Sequence, residues 1–414
     1  MTTADDGFDL IVWGATGFTG RLVTEYLLER QPPGGTLRWA AGGRNRAKLK
    51  ALLAALGTSE KSIPIVIADG TDAAAMQQLV SRTRVVLSTV GPYARYGTPL
   101  VAACAAGGTH YCDLCGEPQW MRSMIDAYQS AAAASGARIV HSCGFDSIPS
   151  DFGVWFLQRE AMARFGAPCR QIRLLIKATR GGVSGGTVAS LSESMDAARA
   201  DRRVARILVD PYALNPPGER DGPDRRDQTG VVRDDVADTW TAPFVMAVIN
   251  TKVVRRSNAL LGYPWGRDFR YSEAVMTGSG PVGWSKAMAI SSGLAAFMLA
   301  NSFRPTRSLF VRPLLPKPGE GPSEQTRQRG FFSLVLYGTL PDGTVLEAKV
   351  RGDRDPGYGS TSKMLAESAT CLALDGVSTG GGFWTPTSAM GEALFRRLVD
   401  YAGLSFELTN IRSR

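Results

Sequence analysis

The residue types able to do chemistry in this sequence gather in short stretches of its first 150 residues. The segment DLIVWGATGFTGRLVTEYLLER (residues 9–30) sets Gly14, Gly17 and Gly20 three apart, where an apolar run gives way to a helical pattern. A turn with so little side chain lets another molecule touch the backbone. Gly14 permits the tight turn, Gly17 leaves room for a pyrophosphate, and Gly20 lets the helix pack close to the strand. Ala15, Thr16, Phe18 and Thr19 complete a loop whose free N–H groups and helix dipole receive phosphate, with the Thr16 and Thr19 hydroxyls as further donors. The spacing is GxxGxxG rather than the GxGxxG of many dinucleotide folds. At the end of the second strand, AAGGRNR brings no acid to hold a ribose 2′-hydroxyl; Arg44, Asn45 and Arg46 arrive instead. A planar guanidinium there suits a 2′-phosphate, so the expected coenzyme is NADP(H). Asp69 ends the third strand near the expected adenine, and Thr89, Val90, Gly91 and Pro92 form a second turn along the nicotinamide end.

Candidates for proton chemistry follow the same edge. Tyr93 and Tyr96 lie just past the fourth strand and can donate protons or hydrogen bonds. Asp146 and Ser147 follow the sixth strand, where they serve equally well as a helix N-cap. His141 reads as a core histidine within strand six, and His110 starts strand five away from the site. Asp113 and Glu117 face the right edge but can equally bond backbone. Cys112 and Cys115 make a CxxC, yet a redox or metal site would need a helix N-terminus or a second ligand pair, so no metal site is expected. Cys143 reads as a small buried residue.

The elements that position these groups are legible by period. FDLIVW (8–13) reads as a buried strand and 20–30 as an amphipathic helix. Strands at 36–42, 62–69, 84–93, 109–114 and 137–144 alternate with helices at 46–57, 73–83, 98–108 and 119–136. Strict alternation at this spacing predicts an α/β fold with a doubly wound parallel Rossmann sheet over residues 1–150.

Beyond residue 150 the alternation stops. Helices are expected at 150–166 and across 184–210, with strands at 169–181, 244–257, 269–278, 331–340 and 344–353. That pattern predicts a second, α+β domain over 151–360 with a largely antiparallel sheet. Residues 211–238, rich in Pro, Gly and opposed charges, read as an exposed, mobile loop. The closing segment, 361–414, reads as helices returning to the Rossmann domain.

Composition narrows the partners. The 414 residues carry 47 Lys and Arg against 38 Asp and Glu, a net charge of +9, with six cysteines. The acidic, polar N-terminus is not a secretory signal, and so few cysteines make no disulfide framework; a reducing cytoplasm is expected. The positive balance comes with no nucleic-acid recognition motif, so nucleic acid is not an expected partner. From Ala274 to Phe303 the only charge is Lys286. Three readings suit this apolar segment: a buried or homodimer-interface helix, a lid or tunnel wall for a long acyl chain, and a helix resting on a membrane. Arg255, Arg256, Arg267, Arg270, Arg304, Arg307, Arg312 and Lys317 flank it as a solvated face or as partners for anionic headgroups or an acidic carrier.

Five stretches together carry a resemblance: GATGFTGRLVTEYL, STVGPYARYGTPLVAACAAGGTHYCDLCGE, CGFDSIPSDFGV, NTKVVRRSNAL and WTPTSAMGEAL. The chain resembles the saccharopine dehydrogenase-like oxidoreductases, above all the actinobacterial trans-acting enoyl reductases of polyketide-lipid synthesis, over nearly its whole length. The resemblance implies an NADPH-dependent reductase whose substrates are acyl chains on a carrier domain, and a place at the inner face of the plasma membrane suits such lipids. Reducing a carbon–carbon double bond conjugated to a thioester takes hydride at the β carbon, a proton at the α carbon and stabilisation of the enolate oxygen. Tyr93, Tyr96 and Asp146 are the candidates, and the residues leave the proton donor open among them. Amino-acid dehydrogenation of the saccharopine type, and non-catalytic NADP binding by a membrane-docked protein, are the rival readings.

Overall fold

The computed structural model describes residues 7–181, 185–302, 304–307 and 321–413. They divide into two compact units, the first built from residues up to Phe145 with Gly357–Ala402, the second beginning at Asp146 and including Gly403–Arg414.

The first unit is the alternating part. Strands β1 (Phe8–Trp13), β2 (Trp39–Gly43), β3 (Ile65–Ile67), β4 (Thr83–Ser88), β5 (His110–Asp113) and β6 (Arg138–Val140) alternate with helices α1 (Phe18–Arg30), α2 (Arg46–Ala55), α3 (Ala73–Val80), α4 (Tyr93–Tyr96), α5 (Thr98–Gly107) and α6 (Pro118–Ser135). Leu10, Ile11, Val12, Val85, Val86 and Leu87 are fully buried, as strands covered on both faces require. The chain order around β1 is β6-β5-β4-β1-β2-β3, every pair parallel. It builds outward from β1 in one direction, then restarts at β4 on the other side. That reversal opens a crevice between the ends of β1 and β4, where ligands bind in such sheets.

The fourth strand stops at Ser88, short of the expected Tyr93, because a Gly91–Pro92 turn leads into α4. Two distant pieces complete the unit. Strand β13 (Gly382–Trp384) adds a seventh strand beside β6, and helix α14 (Thr361–Leu374) is tied to α1, with Tyr26 Oη donating to Glu367 Oε1 at 2.8 Å. Arg397 of helix α15 (Pro386–Asp400) holds the other Glu367 oxygen at 2.9 Å.

The second unit holds helices α7 (Ile148–Phe165), α8 (Gly185–Ala200), α9 (Arg202–Val209), α10 (Ala247–Leu260), α11 (Gly280–Ser302), α12 (Arg304–Thr306) and α13 (Glu324–Gln328). Its strands are β7 (Gln171–Arg180), β8 (Val232–Asp234), β9 (Thr239–Pro243), β10 (Arg270–Gly278), β11 (Phe331–Thr339), β12 (Val345–Gly352) and β14 (Leu404–Arg412). They form one sheet in the order β14-β12-β11-β7-β10-β9-β8, antiparallel except between β7 and β10.

Five expectations change here. Residues 244–257, expected as a strand, contain most of α10. Residues 211–238 are not an exposed loop: Tyr212, Ala213, Leu214 and Asn215 are buried, and 232–234 form β8. The cause is electrostatic. Asp224 accepts from Arg255 Nε at 2.8 Å, and Asp227 accepts from the Thr251 hydroxyl at 2.9 Å, so the loop's acids are paired against the basic side of α10. Arg255 and Arg256 are therefore interior residues, not part of a solvated basic face. Residues 404–412 are strand, not helix. In the apolar segment, α11 is a surface helix: only 11% of its most apolar 18-residue stretch is buried, which removes the core-helix reading. Phe303, Arg312 and Lys317 lie outside the described residues.

Candidate active site: a dinucleotide cradle and its edge

The chain turns immediately after β1. The N–H groups of Gly14 and Ala15 both donate to the Gly42 carbonyl, at 3.1 and 3.2 Å, and Gly17 N–H closes on the Gly14 carbonyl at 2.9 Å. Gly14 has φ +88°, where a side chain is strained, and a Cβ there would lie 2.6 Å from the Val90 side chain and 2.8 Å from Thr89 Oγ1. Thr89 braces the turn, donating from its N–H to the Trp13 carbonyl at 3.0 Å and from its hydroxyl to the Gly14 carbonyl at 3.1 Å. The turns after β1 and β4 are thus one structure, lying at the sheet's reversal. A Cβ at Gly20 would run into the Gly14 carbonyl, so glycine is what lets α1 start against the strand.

This cradle fits a pyrophosphate. Helix α1 has Gly17 as N-cap, no side chain capping it and no acid in its first turn. The N–H groups of Thr19 and Gly20 have no carbonyl one turn back within the helix, and Thr16 and Gly17 are exposed. First-turn amides at the positive end of a helix dipole are an anion site. Arg44 is exposed at the end of β2, whereas Arg46 is paired with Glu60. Asn45 caps α2, accepting from Lys48 N–H at 3.0 Å. Asp69 accepts from both the N–H and the hydroxyl of Thr71, at 2.9 and 2.8 Å; these bonds, and more weakly Arg44, hold its carboxyl below the usual range. Gly91 and Pro92 follow Val90 in the turn that opens α4.

The two tyrosines differ sharply. Tyr93 is buried; its hydroxyl donates to the Ser88 carbonyl at 3.1 Å and accepts from Leu114 N–H at 3.4 Å, and burial pushes it well above its ordinary pKa. Its backbone N–H and that of Ala94 donate to the two oxygens of buried Glu117, both at 2.8 Å. Glu117 therefore anchors the start of α4. Tyr96, at the other end of α4, is 37% exposed. Asp113 is a buried hub: one oxygen accepts from Tyr111 Oη at 2.9 Å and lies 2.8 Å from His141 Nδ1, while the other accepts from the N–H of Cys115 and of Ser142. His141 Nε2 is buried without a partner among aromatic rings. All six cysteines are buried free thiols.

Asp146 lies where the chain leaves β6 and passes into the second unit. Burial pushes its carboxyl up to about 7, although part of its surface meets solvent. Ser147 beside it has φ +121°, strained for a residue with a side chain. Its hydroxyl donates to Asn250 Oδ1 at 3.1 Å, and Asn250 Nδ2 donates to Glu273 at 2.9 Å. Tyr271 Oη donates to the other Glu273 oxygen at 2.8 Å, and burial pushes Glu273 up to about 7. Ser147 leaves the cap position of α7 without a side-chain hydrogen bond, so its hydroxyl serves this network instead. Asn250 and Glu273 escape a reading by motif. Asn250 opens NTKVVRRSNAL, a stretch that carries part of the resemblance without giving the residue a role, and nothing local marks Glu273.

Comparison with known proteins agrees with this geometry. The model of the saccharopine dehydrogenase NADP binding domain matches residues 10–140. A trans-acting enoyl reductase of Mycobacterium bovis (strain BCG) is 40% identical over 412 residues, covering 96% of this chain and 97% of its own. A Mycobacterium tuberculosis (strain H37Rv) protein provisionally given the same name is 42% identical over 429 residues, covering both chains completely. Among solved structures, apo saccharopine dehydrogenase (L-Glu forming) from Saccharomyces cerevisiae covers 98% of this chain and all of its own with a TM-score of 0.52 at 12% identity, a likeness of fold. The chain binds NADP(H) and is an NADPH-dependent oxidoreductase that belongs to the trans-acting enoyl reductases of the saccharopine dehydrogenase-like family.

Proposed function

We propose that this protein reduces the conjugated double bond of an unsaturated acyl chain held as a thioester on a carrier domain, acting in trans with the synthase that builds the chain. The names of its full-length relatives and their identity to it support the reaction class. The observation that carries the site is Asp146, a carboxyl raised to about 7 where the chain continues beyond β6. An acid with that pKa is half protonated at neutral pH, where a proton donor is most effective.

When bound, NADPH supplies a hydride for the β carbon. Gly14, Ala15, Thr16, Gly17, Phe18, Thr19 and Gly20 hold its pyrophosphate on backbone amides, Arg44 and Asn45 select the 2′-phosphate, and Asp69 borders the adenine. Thr89, Val90, Gly91 and Pro92 line the nicotinamide end. Asp146 delivers the proton to the α carbon, and Tyr96 donates a hydrogen bond to the thioester oxygen as negative charge develops there. Tyr93 acts through position: its bonds to Ser88 and Leu114, with Glu117 on its N–H, hold α4 where Tyr96 can serve. In this reading residues 1–150 form the cofactor domain, 151–360 the substrate and dimerisation domain, and 361–414 the closing segment. Its place is cytoplasmic, at the inner face of the membrane that receives the lipid.

The test is NADPH oxidation with an enoyl thioester on a carrier protein, against the same thioester on a small thiol and against saccharopine and other amino acids with NADP. Turnover of the carrier-bound enoyl chain is expected. Turnover confined to amino acids, or tight NADPH binding with no turnover of either class, would overturn the reading.

A further inference from the structure

We propose that α11 with Lys177 and Lys286 is a docking surface for the anionic phospholipids of a bilayer. The proposal deepens the membrane contact just described but does not depend on the enoyl chemistry.

Helix α11 is held to its own unit along one line. Gly283, Ala287 and Asn301 are buried, and Asn301 is bonded to α8 through Ser192 Oγ at 3.0 Å. The spacing follows a single face of a helix, and the rest of the circumference is open. Val282, Trp284, Met288, Ile290 and Leu299 are 66%, 47%, 40%, 39% and 65% exposed. Trp284, Met288 and Leu299 share one side of the helix, and Val282 and Ile290 lie on the other side of the buried line; exposed large apolar residues on both flanks of a helix of 23 residues need a cover. Because α11 lies against β9 and β10 along its buried line, it presents its side to that cover rather than crossing it.

Charge chooses the occupant. Helix α11 contains no Asp or Glu, and its one charge is Lys286. Lys286 and Lys177 of β7 border an open cavity of about 490 Å³ whose other walls include Met276, Ala289 and Ile290. Two cations over an apolar floor match an anionic headgroup with its chain beginning below it. A second copy of this chain would bring the same lysine and no acid from the facing helix, which opposes self-association through this face. An acidic protein would answer the lysines and leave the apolar residues uncovered. A bilayer surface answers both.

Co-sedimentation with vesicles tests this, using phosphatidylglycerol mixed with phosphatidylcholine against phosphatidylcholine alone, with inorganic phosphate as competitor. Wild-type protein is expected to partition about 10-fold or more in favour of the anionic vesicles, unmoved by free phosphate. Lys177→Glu with Lys286→Glu should remove that preference, and Leu299→Asp should lower binding to both vesicle types. NADPH affinity and turnover of a soluble carrier-bound substrate should be unchanged in both variants, which certifies folding and separates this proposal from the reductase reading. Wild-type protein left in the supernatant with both vesicle types would overturn docking alone, as would loss of lipid binding only when phosphate is added. Concentration-dependent dimers that Leu299→Asp dissolves would overturn it too, by making a second copy the cover. Lipid binding without turnover would sink the reductase reading and leave docking standing.

Discussion

Two turns in this molecule are built alike and used differently. After β1 the chain passes through Gly14, Gly17 and Gly20 into α1; after β10 it passes through Gly278, Gly280 and Gly283 into α11. In both, a late glycine faces a carbonyl that leaves no room for a Cβ: Gly20 against Gly14, Gly283 against Gly278. The second run, GSGPVG, even has the GxGxxG spacing that the first lacks. Yet only the first has the surroundings of a nucleotide site. It follows a parallel strand at the reversal of the sheet, is braced by Thr89 just past the neighbouring β4, and starts a helix that no side chain caps. The second follows a strand of a mixed sheet, and Pro281 removes an N–H from the start of its helix. Glycine spacing describes a close approach of helix to strand; the strand's neighbours decide whether the approach serves a phosphate or only packing.

The largest test of that contrast is chemical. Asp146→Asn should lower kcat by about 100-fold to 1,000-fold, with NADPH affinity little changed. In the proposed reaction Asp146 is the acid and its carboxyl is raised to about 7, so wild-type turnover should fall as pH rises through that value, and the Asn variant should lose that limb. If the variant keeps the same limb, the proton comes from another group and the first edge holds the cofactor only.

Next in size is the glycine pair itself. Gly20→Ala puts a methyl into the Gly14 carbonyl and should weaken NADPH binding about 100-fold, read by fluorescence titration. Gly283→Ala makes the same collision at the other turn and should leave NADPH affinity within about 3-fold while lowering thermal stability by about 1–3 kcal/mol. Equal losses of NADPH binding would erase the distinction between the turns. A smaller effect sharpens the first turn's chemistry: Arg44→Ala should cost about 30-fold in NADPH affinity and almost nothing in NADH affinity, as expected for a guanidinium that reads a 2′-phosphate.

What the sequence made legible follows the same divide. Strands β1 to β6 lie between helices close in the chain, so each declares itself by a local apolar run and a change of period. The glycine turn and Arg44 sit where that period places them. Strand β13 has three residues and pairs with β6 from some 240 positions away, and nothing local in GFW announces it. Helix α10 was hidden for a different reason. Its Asn250, Thr251, Lys252, Arg255 and Arg256 are all buried, so its helical stripe is masked by polar residues whose partners lie in α9, the 211–238 segment and β10. The acids of that segment looked solvated for the same reason: pairing between distant charges leaves no local period. Tyr93 and Tyr96 stand at equal range in the sequence, and only packing separates the one bonded to Ser88 from the one facing solvent.

The smallest expected effect concerns the strands that lead to the two turns. Strand β1 carries its one acid, Asp9, near its start, where it accepts from Arg38 N–H at 2.9 Å, whereas β10 carries buried Glu273, whose carboxyl burial raises to about 7. A carboxyl raised on folding stabilises most below its unfolded pKa, and that stability is lost as pH rises toward the folded value, because the unfolded chain ionises first. The window here runs from about 4.5 to about 7. Glu273→Gln removes the titration but also turns one acceptor facing Asn250 or Tyr271 into a donor, a fixed penalty at every pH. The difference between variant and wild type should therefore move in glutamine's favour by about 2 kcal/mol between pH 5 and pH 8, measured by denaturant unfolding. A difference that stays flat would mean that Glu273 is ionised throughout, held by Asn250, Tyr271 and Ser150 against its burial. The strained Ser147 would then rest on a fixed anion, and the two edges would differ in charge as well as in what they bind.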